Sequence, residues 1–382
     1  MSIRKPKPLE DYAQSVRRFS FRHPNVLLIM TQVMFWVPAN VFYMLITTLA
    51  IKGYTAPFPQ VEFIPLLPQV LLAIGVGLMY GGMLGLIDIV VDRRVKKQRS
   101  LGAKILLKSA LYTLAFAVAI TAAVIIWEEV LLKRIFVDSG IPIDPRSRTL
   151  FISSVAIYTL TGNFLISFIK QVNLRFGPGI LIPLLLGRYR EPVEEDRIVM
   201  FLDLRSSTTY AEKLGHIRYS KLIQDVFMVV NQQVPKFDAE IYQYVGDEVI
   251  FTWKIGEGLE KLNCIRIHFA INDAIAEQRE YFEEKYQMLP EFKAGVHVGL
   301  LTTAEIGEIK RDIAHHGDTM NTTARIQGQA NELGHDLLVS EDLVELCGLK
   351  NDDGLALNAL GSIDLKGKQK GVSVFGVERI KE

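Results

Sequence analysis

The sequence predicts an α-helical membrane domain of four spans followed by an α+β domain of ferredoxin-like order, and three features of its 382 residues carry that reading. Long uncharged apolar stretches fill the first part of the chain, each long enough for the about 20 helical residues that cross a bilayer. Beyond residue 170, charged residues alternate with short apolar runs. The apolar periodicity there switches between strand and helix in the order β-α-β-β-α-β. The net charge of +1 averages over these two halves. No basic stripe with interleaved aromatics is present, so nucleic acid is not an expected partner. Cys264 and Cys347 lack C-x-x-C spacing and read as reduced thiols.

The four spans are expected at residues 26–51, 66–91, 105–132 and 150–169, the first holding Pro38 and Asn40 and the third Lys108 near its start. Basic residues set their orientation. Arg4, Lys5, Lys7, Arg17, Arg18 and Arg22 precede the first span, and Arg93, Arg94, Lys96, Lys97, Arg99 and Lys104 follow the second. The first loop has only Lys52, and the third mixes both signs. Both termini are therefore expected in the cytoplasm, with residues 1–24 as a tail, 25–170 as the membrane domain, 171–196 as a linker and 197–382 as the cytoplasmic domain. The first apolar stretch is too long for a cleavable signal peptide, and no small-residue cleavage site follows it. Gly77, Gly81 and Gly85 recur every four residues. That spacing suits either a seam between two chains or packing inside one bundle. Asp88 and Asn163 are polar groups at membrane depth, Asp88 lying near the basic edge where a partner is at hand. So few polar residues outline no substrate pathway, and a transporter is not expected.

Gly177-Pro178-Gly179 breaks any helix leaving the fourth span. The apolar run 180–186 reads as an interfacial or packing helix, and no sustained heptad supports a long coiled coil. The next domain opens with a buried strand, 198–203, ending in Asp203. A helix is expected over 208–233, then strands 240–245 and 248–253 joined by the tight turn Gly246-Asp247. An amphipathic helix over 259–285 and a strand over 292–301 complete the repeat. A helix near 319–331, a strand near 337–340 and a hairpin around 367–371 follow.

Asp203 and Asp247 fall on neighbouring strands at one sheet end, where two hard oxygen ligands suit Mg²⁺ or Mn²⁺. Arg205-Ser206-Ser207-Thr208-Thr209 opens the next helix, and amides at a helix N-terminus cradle phosphate. Asn321 and Arg325 lie four apart in a helical segment and share one face.

The segments FLDLRSSTTYAEKLG, YQYVGDEVIFTW and GDTMNTTARIQ, in that order, resemble the three signatures of class III adenylyl and guanylyl cyclases. The likeness covers about residues 196–378, and four spans ahead of such a module resemble bacterial membrane cyclases of the inner, plasma membrane. The resemblance implies that Asp203 and Asp247 bind two Mg²⁺ or Mn²⁺ ions, with the Leu204 carbonyl a further ligand. It implies that Asn321 orients the ribose and Arg325 balances charge at the α-phosphate. Lys366, ahead of Lys368, matches the lysine that holds the terminal phosphates, and Lys310 or Arg311 a β-phosphate contact. It also implies a head-to-tail homodimer in which the aspartates of one chain face the Asn/Arg pair of the other.

At the two base-selecting positions the sequence departs from the family, with Gln243 and Ala314 where adenylyl cyclases have Lys and Asp or Thr. Gln243 can serve a base edge. Ala314 cannot, and His315 and His316 beside it are packing residues or base readers. The expected substrate is ATP, giving 3′,5′-cyclic AMP, with GTP or mixed specificity as the alternative. An inactive nucleotide-binding receptor module and a gated channel or carrier are the rival classes.

Overall fold

The computed structural model describes residues 23–56, 65–94, 107–108, 111–118, 121, 145–176, 186–309, 311–349, 354–363 and 371–380, together with Val16 and Phe19. Two compact units divide between Leu181 and Ile182.

In the first unit lie α1 (Pro24–Thr55), α2 (Leu66–Arg94) and α3 (Pro145–Phe176). Three stretches, Pro24–Gly53, Leu66–Val91 and Ile152–Lys170, are long and apolar enough to cross a membrane. The expected third span, 105–132, lies mostly outside the described residues; those of it that are described, 107–108, 111–118 and 121, are helical. The basic residues 95–104 and the tail arginines 17, 18 and 22 also lie outside them.

The glycine seam joins α2 to α1 of the same chain. A Cβ on Gly77, Gly81 or Gly85 would stand 2.7 Å, 2.9 Å or 2.6 Å from the Cα of Val37, Val33 or Ile29 respectively. Of the two readings of that spacing, packing within one chain is the one observed, and it leaves no room for a partner helix on that stripe. Asp88 is buried, and it draws polar groups from α1, from α3 and from the helical residues Lys108 and Tyr112. Tyr112 donates to Oδ1 at 2.5 Å and Lys108 pairs with that oxygen at 3.2 Å, while Gln32 donates to Oδ2 at 3.0 Å and Lys170 closes on that same atom. Asn163 donates to the Tyr80 hydroxyl at 3.2 Å.

The second unit is built on an eight-stranded sheet. Its elements are β1 (Val193–Leu204), α4 (Ser207–Gln233), β2 (Glu240–Val245), β3 (Glu248–Lys254), α5 (Ile255–Leu259), α6 (Asn263–Ala276), α7 (Arg279–Tyr286), β4 (Phe292–Ile306), β5 (Asp312–His316), α8 (Asp318–Gly328), β6 (Leu337–Ser340), α9 (Glu341–Cys347), β7 (Leu355–Ile363) and β8 (Val372–Arg379). The strand order is β2-β3-β1-β4-β6-β8-β7, with β5 folded back on β4. Its first four strands, β2-β3-β1-β4, are the ferredoxin-like core.

β1 is apolar on both faces because helices cover both. Ile198, Met200, Leu202 and Leu204 pack with Leu222, Val226 and Val230 of α4 and Ile267 and Ile271 of α6. Val199 and Phe201 point the other way, into a smaller cluster with Ile250, Leu301, and Met320 and Ala324 of α8. That second face carries the site described below.

Three expectations need correction. The single helix over 259–285 is broken, because Leu262 takes a left-handed conformation (φ 59°) and Gln278 leaves the helical region (φ −104°, ψ 22°). Neither break carries a Gly or Pro, so the apolar periodicity ran through both. β4 continues to Ile306 and returns as β5, a strand too short and polar to signal itself. β1 starts at Val193, inside the segment expected to be linker. The apolar run 180–186 lies outside the described residues apart from Leu186, and the hairpin expected around 367–371 lies outside them apart from Gly371.

Candidate active site

Pairing register builds the site. Asp203, next to last in β1, stands opposite Glu248 of β3 and opposite Lys293 of β4. Directly opposed residues share a sheet face, so Glu248, Asp203 and Lys293 form a row on the face covered by α8. Asp247 enters the same sheet end from the β2–β3 turn, which Gly246 makes at φ 63°. The sequence-predicted aspartates are thus brought together.

Asp203 Oδ2 accepts a hydrogen bond from Gln327 Nε2 at 3.1 Å and pairs with Lys293 Nζ at 3.3 Å. Burial, and next the charge of Asp247, hold its carboxyl above the usual carboxylate range. Burial followed by Asp203 and Asp247 pushes Glu248 up to about 7. The Tyr219 phenol of α4 reaches the side chains of Ser207 and Asp247, and burial, then the Asp247 charge, raise it to about 12. Asp247 Oδ2 is buried and has no hydrogen-bond partner among the described residues. Two converging carboxylates, Asp203 held above its ordinary range by burial and then by the Asp247 charge and Asp247 with a buried unpartnered oxygen, are a donor set for a hard divalent cation. Mg²⁺ or Mn²⁺ fits these residues. α4 begins at Ser207, with Ser206 ahead of it in a left-handed conformation (φ 55°), so its first-turn amides open at the same sheet end as the carboxylates.

α8 sits close on the sheet because β4 carries glycine beneath it. A Cβ on Gly295 would stand 2.4 Å from Gln327 N, and one on Gly299 would stand 2.5 Å from Thr319 Oγ1. Thr322, Thr323, Ile326 and Gln327 of α8 are buried, while Asn321 is exposed and Arg325 partly exposed. Among the described residues, no hydrogen bond or ion pair joins Asn321 or Arg325 to Asp203 or Asp247 of the same chain.

Residues 191–378 match the family described as the adenylate and guanylate cyclase catalytic domain. The second unit is a class III cyclase domain. Adenylate cyclase 2 of Rhizobium meliloti (strain 1021) is 32% identical over 224 residues, which cover 59% of this chain and 61% of that protein. An adenylate cyclase of Anabaena cylindrica is 23% identical over 190 residues, covering 47% of this chain and 36% of that one. The chain therefore spans less than two thirds of the length of these relatives. A bacterial light-regulated adenylyl cyclase has the same fold, with a TM-score of 0.50 at 19% identity over 58% of this chain and 64% of that one.

Within the cyclase domain the remaining expected site residues scatter. A β-bulge at Tyr242 separates Ile241, opposite Phe251, from Gln243, opposite Ile250. The extra residue re-aims the strand, so Gln243, which is exposed, shares the face of Ile250 and of the carboxylates. Ala314 pairs with Ala304, one step from the Thr303–His315 pair. Successive residues alternate faces, so the buried Ala314 lies on the face opposite His315 and is not brought to Gln243. His315 instead packs on Tyr242 with ring centroids 4.4 Å apart, donates its amide to the Tyr242 hydroxyl at 3.1 Å, and meets Thr303 Oγ1 at 2.9 Å. Burial and then the Arg197 charge lower its imidazole to about 3. Of the two readings of His315, packing is the one observed, while His316 is exposed. Arg311 is exposed and faces Glu305 at 3.5 Å on the β4–β5 arm. The side chain of Leu204 is in the core. Lys310, Lys366 and Lys368 lie outside the described residues.

Sequence reading missed Lys293, Gln327, Glu248 and Tyr219. Glu248 was legible as the neighbour of Asp247. Lys293 and Gln327 become visible only once β1 is paired with β4 and α8 is laid over both.

Proposed function

We propose that this protein is a membrane-bound adenylate cyclase that converts ATP to 3′,5′-cyclic AMP and pyrophosphate on the cytoplasmic side of the inner membrane. The observation that carries this reading is the convergence of Asp203 and Asp247 around an orphaned buried carboxylate oxygen, at the sheet end where α4 begins. Asp203, Asp247 and the Leu204 carbonyl are the residues that would hold Mg²⁺ or Mn²⁺, two ions per site. When bound, such ions supply Lewis acidity toward the phosphates and lower the pKa of the ribose 3′-hydroxyl.

The chain's own residues do the rest. First-turn amides of α4 receive phosphate oxygens, and Lys293 adds positive charge beside Asp203. Arg325 balances charge developing at the α-phosphate, and Asn321 fixes the ribose so that O3′ lies in line with the bond to be broken. The O3′–Pα bond forms as the 3′-hydroxyl gives its proton to solvent and the bond from Pα to the bridging oxygen of the β-phosphate breaks, and pyrophosphate departs. Lys366 takes the role of holding the terminal phosphates.

Separation of Asn321 and Arg325 from the carboxylates within one chain supports a head-to-tail homodimer with two composite sites. The test mixes two inactive variants, Asp203→Ala and Arg325→Ala. One site of the mixed dimer is intact, so cyclic AMP production returns. A mixture that assembles yet makes no product rules out shared sites. Gln243 on the carboxylate face, with Ala314 on the other, favours weak base discrimination, because strong rejection needs buried polar groups left unpaired by the wrong base. GTP turnover beside ATP turnover is the reading of that observation.

A further inference from the structure

Among the described residues, Gln327 makes the hydrogen bond that joins α8 to Asp203. The residue is 6% exposed, and its side-chain amide donates to Asp203 Oδ2 at 3.1 Å. The position is tightly constrained. Gln327 rides directly over Gly295, whose Cβ, were there one, would stand 2.4 Å from Gln327 N and 2.7 Å from its Cα. The helix backbone is thereby seated on β4, and a side chain of this length reaches across to β1. Lys293 approaches the same Oδ2 at 3.3 Å. Among the described residues, one oxygen of Asp203 is thus engaged by two donors, which fixes the carboxylate plane and leaves Oδ1 to turn toward Asp247.

We infer that Gln327 is a positioning residue that orients Asp203 for the divalent cation. The inference rests on the proposed metal-dependent reading of the site. Partners behind a metal ligand set its orientation, and removing one weakens metal affinity about 10- to 100-fold. A glutamine suits this task beside two acids, because its amide donates to a carboxylate without adding charge that would repel the cation. The same bond ties the metal carboxylate of a chain to the helix bearing that chain's Asn321 and Arg325. In the composite arrangement, that helix serves the other site of the dimer.

Gln327→Met keeps the length and apolar bulk of the side chain and removes the donor; Gln327→Leu is the second variant should the first fail to fold. Calorimetry of Mn²⁺ binding to the nucleotide-free full-length protein is expected to show about tenfold weaker affinity in the variant. Unchanged affinity in a folded variant overturns the inference. Placement in the mixed dimer separates positioning from a general structural role. On the Arg325→Ala chain, which supplies Asp203 to the intact site, Gln327→Met raises the Mn²⁺ concentration needed for half-maximal activity. On the Asp203→Ala chain the bond is already gone, and the same change leaves the Mn²⁺ requirement where it was. An equal shift from both placements overturns the inference. A mixed dimer inactive before Gln327 is touched rejects the shared sites instead, and the calorimetry then decides on Gln327 alone.

Discussion

Replacing Gly295 with alanine inserts one methyl group into the seat of α8. The new Cβ would lie 2.4 Å from Gln327 N, 2.7 Å from its Cα and 2.8 Å from its Cβ, where ordinary contact begins near 3.4 Å. Two of these obstacles are helix backbone, so no side-chain rotation relieves the clash. The helix has to retreat by about 1 Å to restore normal van der Waals separation. Overpacking of this kind costs about 1–3 kcal/mol. Loss of glycine's extra unfolded-state entropy in a strand returns about 0.5–1 kcal/mol. The net destabilisation is therefore roughly 1–2 kcal/mol, which a domain with ordinary stability survives. Activity is more exposed, because a displacement of about 1 Å in positioned groups lowers rate on the order of 100-fold. The helix that moves carries Asn321, Arg325 and Gln327. Urea denaturation and cyclic AMP production with Mn²⁺ and saturating ATP, on the same preparation, measure both quantities. A folded Gly295→Ala protein with activity within about threefold of the parent would refute the reasoning that close seating of α8 sets the site.

Further outcomes follow from the carboxylate row and the N-terminal helical unit. Glu248 titrates at about 7 rather than the ordinary 4.5, raised by burial and then by Asp203 and Asp247. A raised carboxyl pKa contributes stability that is complete below the unfolded value and lost as pH rises through the folded one. In chelator, the domain therefore loses stability between pH 4.5 and about 7, with Asp203 adding to the same trend. Glu248→Gln flattens that slope in thermal melts, and an unchanged slope contradicts the assignment. Mn²⁺ competes with these protons, so its affinity rises with pH over the same window in the parent and rises less in Glu248→Gln. In the helical unit, Gly81→Ile drives a branched side chain into the Val33 backbone, which stands 2.9 Å from the Cβ position. It is expected to lower the melting temperature of the detergent-solubilised full-length protein, whereas Gly82→Ile, with nothing within 4 Å of its Cβ position, is expected to leave it close to the parent.

Local signals in the sequence reported what local physics decides. Asp203 closes an unbroken apolar run, and Asp247 follows Gly246 in a turn that only a positive φ allows. Both aspartates could therefore be assigned to one sheet end before any pairing was known. Asn321 and Arg325 share a helix face because four residues make about one turn. What stayed hidden depends on contacts between distant segments. Lys293 joins the site through the β1–β4 register, and Gln327 through the docking of α8 over Gly295. The face of Gln243 is decided by a bulge at Tyr242 that leaves no mark in composition. Gly77, Gly81 and Gly85 showed that two helices approach closely, yet spacing alone cannot say whether the second helix belongs to the same chain. The breaks after α5 and α6 fall at Leu262 and Gln278, residues with ordinary helix propensity, and tertiary packing overrides periodicity there.

The most direct measurement supplies radiolabelled ATP and GTP, in parallel and with Mn²⁺, to the purified full-length protein, and identifies the products. The account predicts 3′,5′-cyclic AMP from ATP, with little discrimination against GTP, and loss of both products in Asp203→Ala and Asp247→Ala proteins that remain folded. No cyclic product from either nucleotide, or product formation that survives removal of both aspartates, would contradict it.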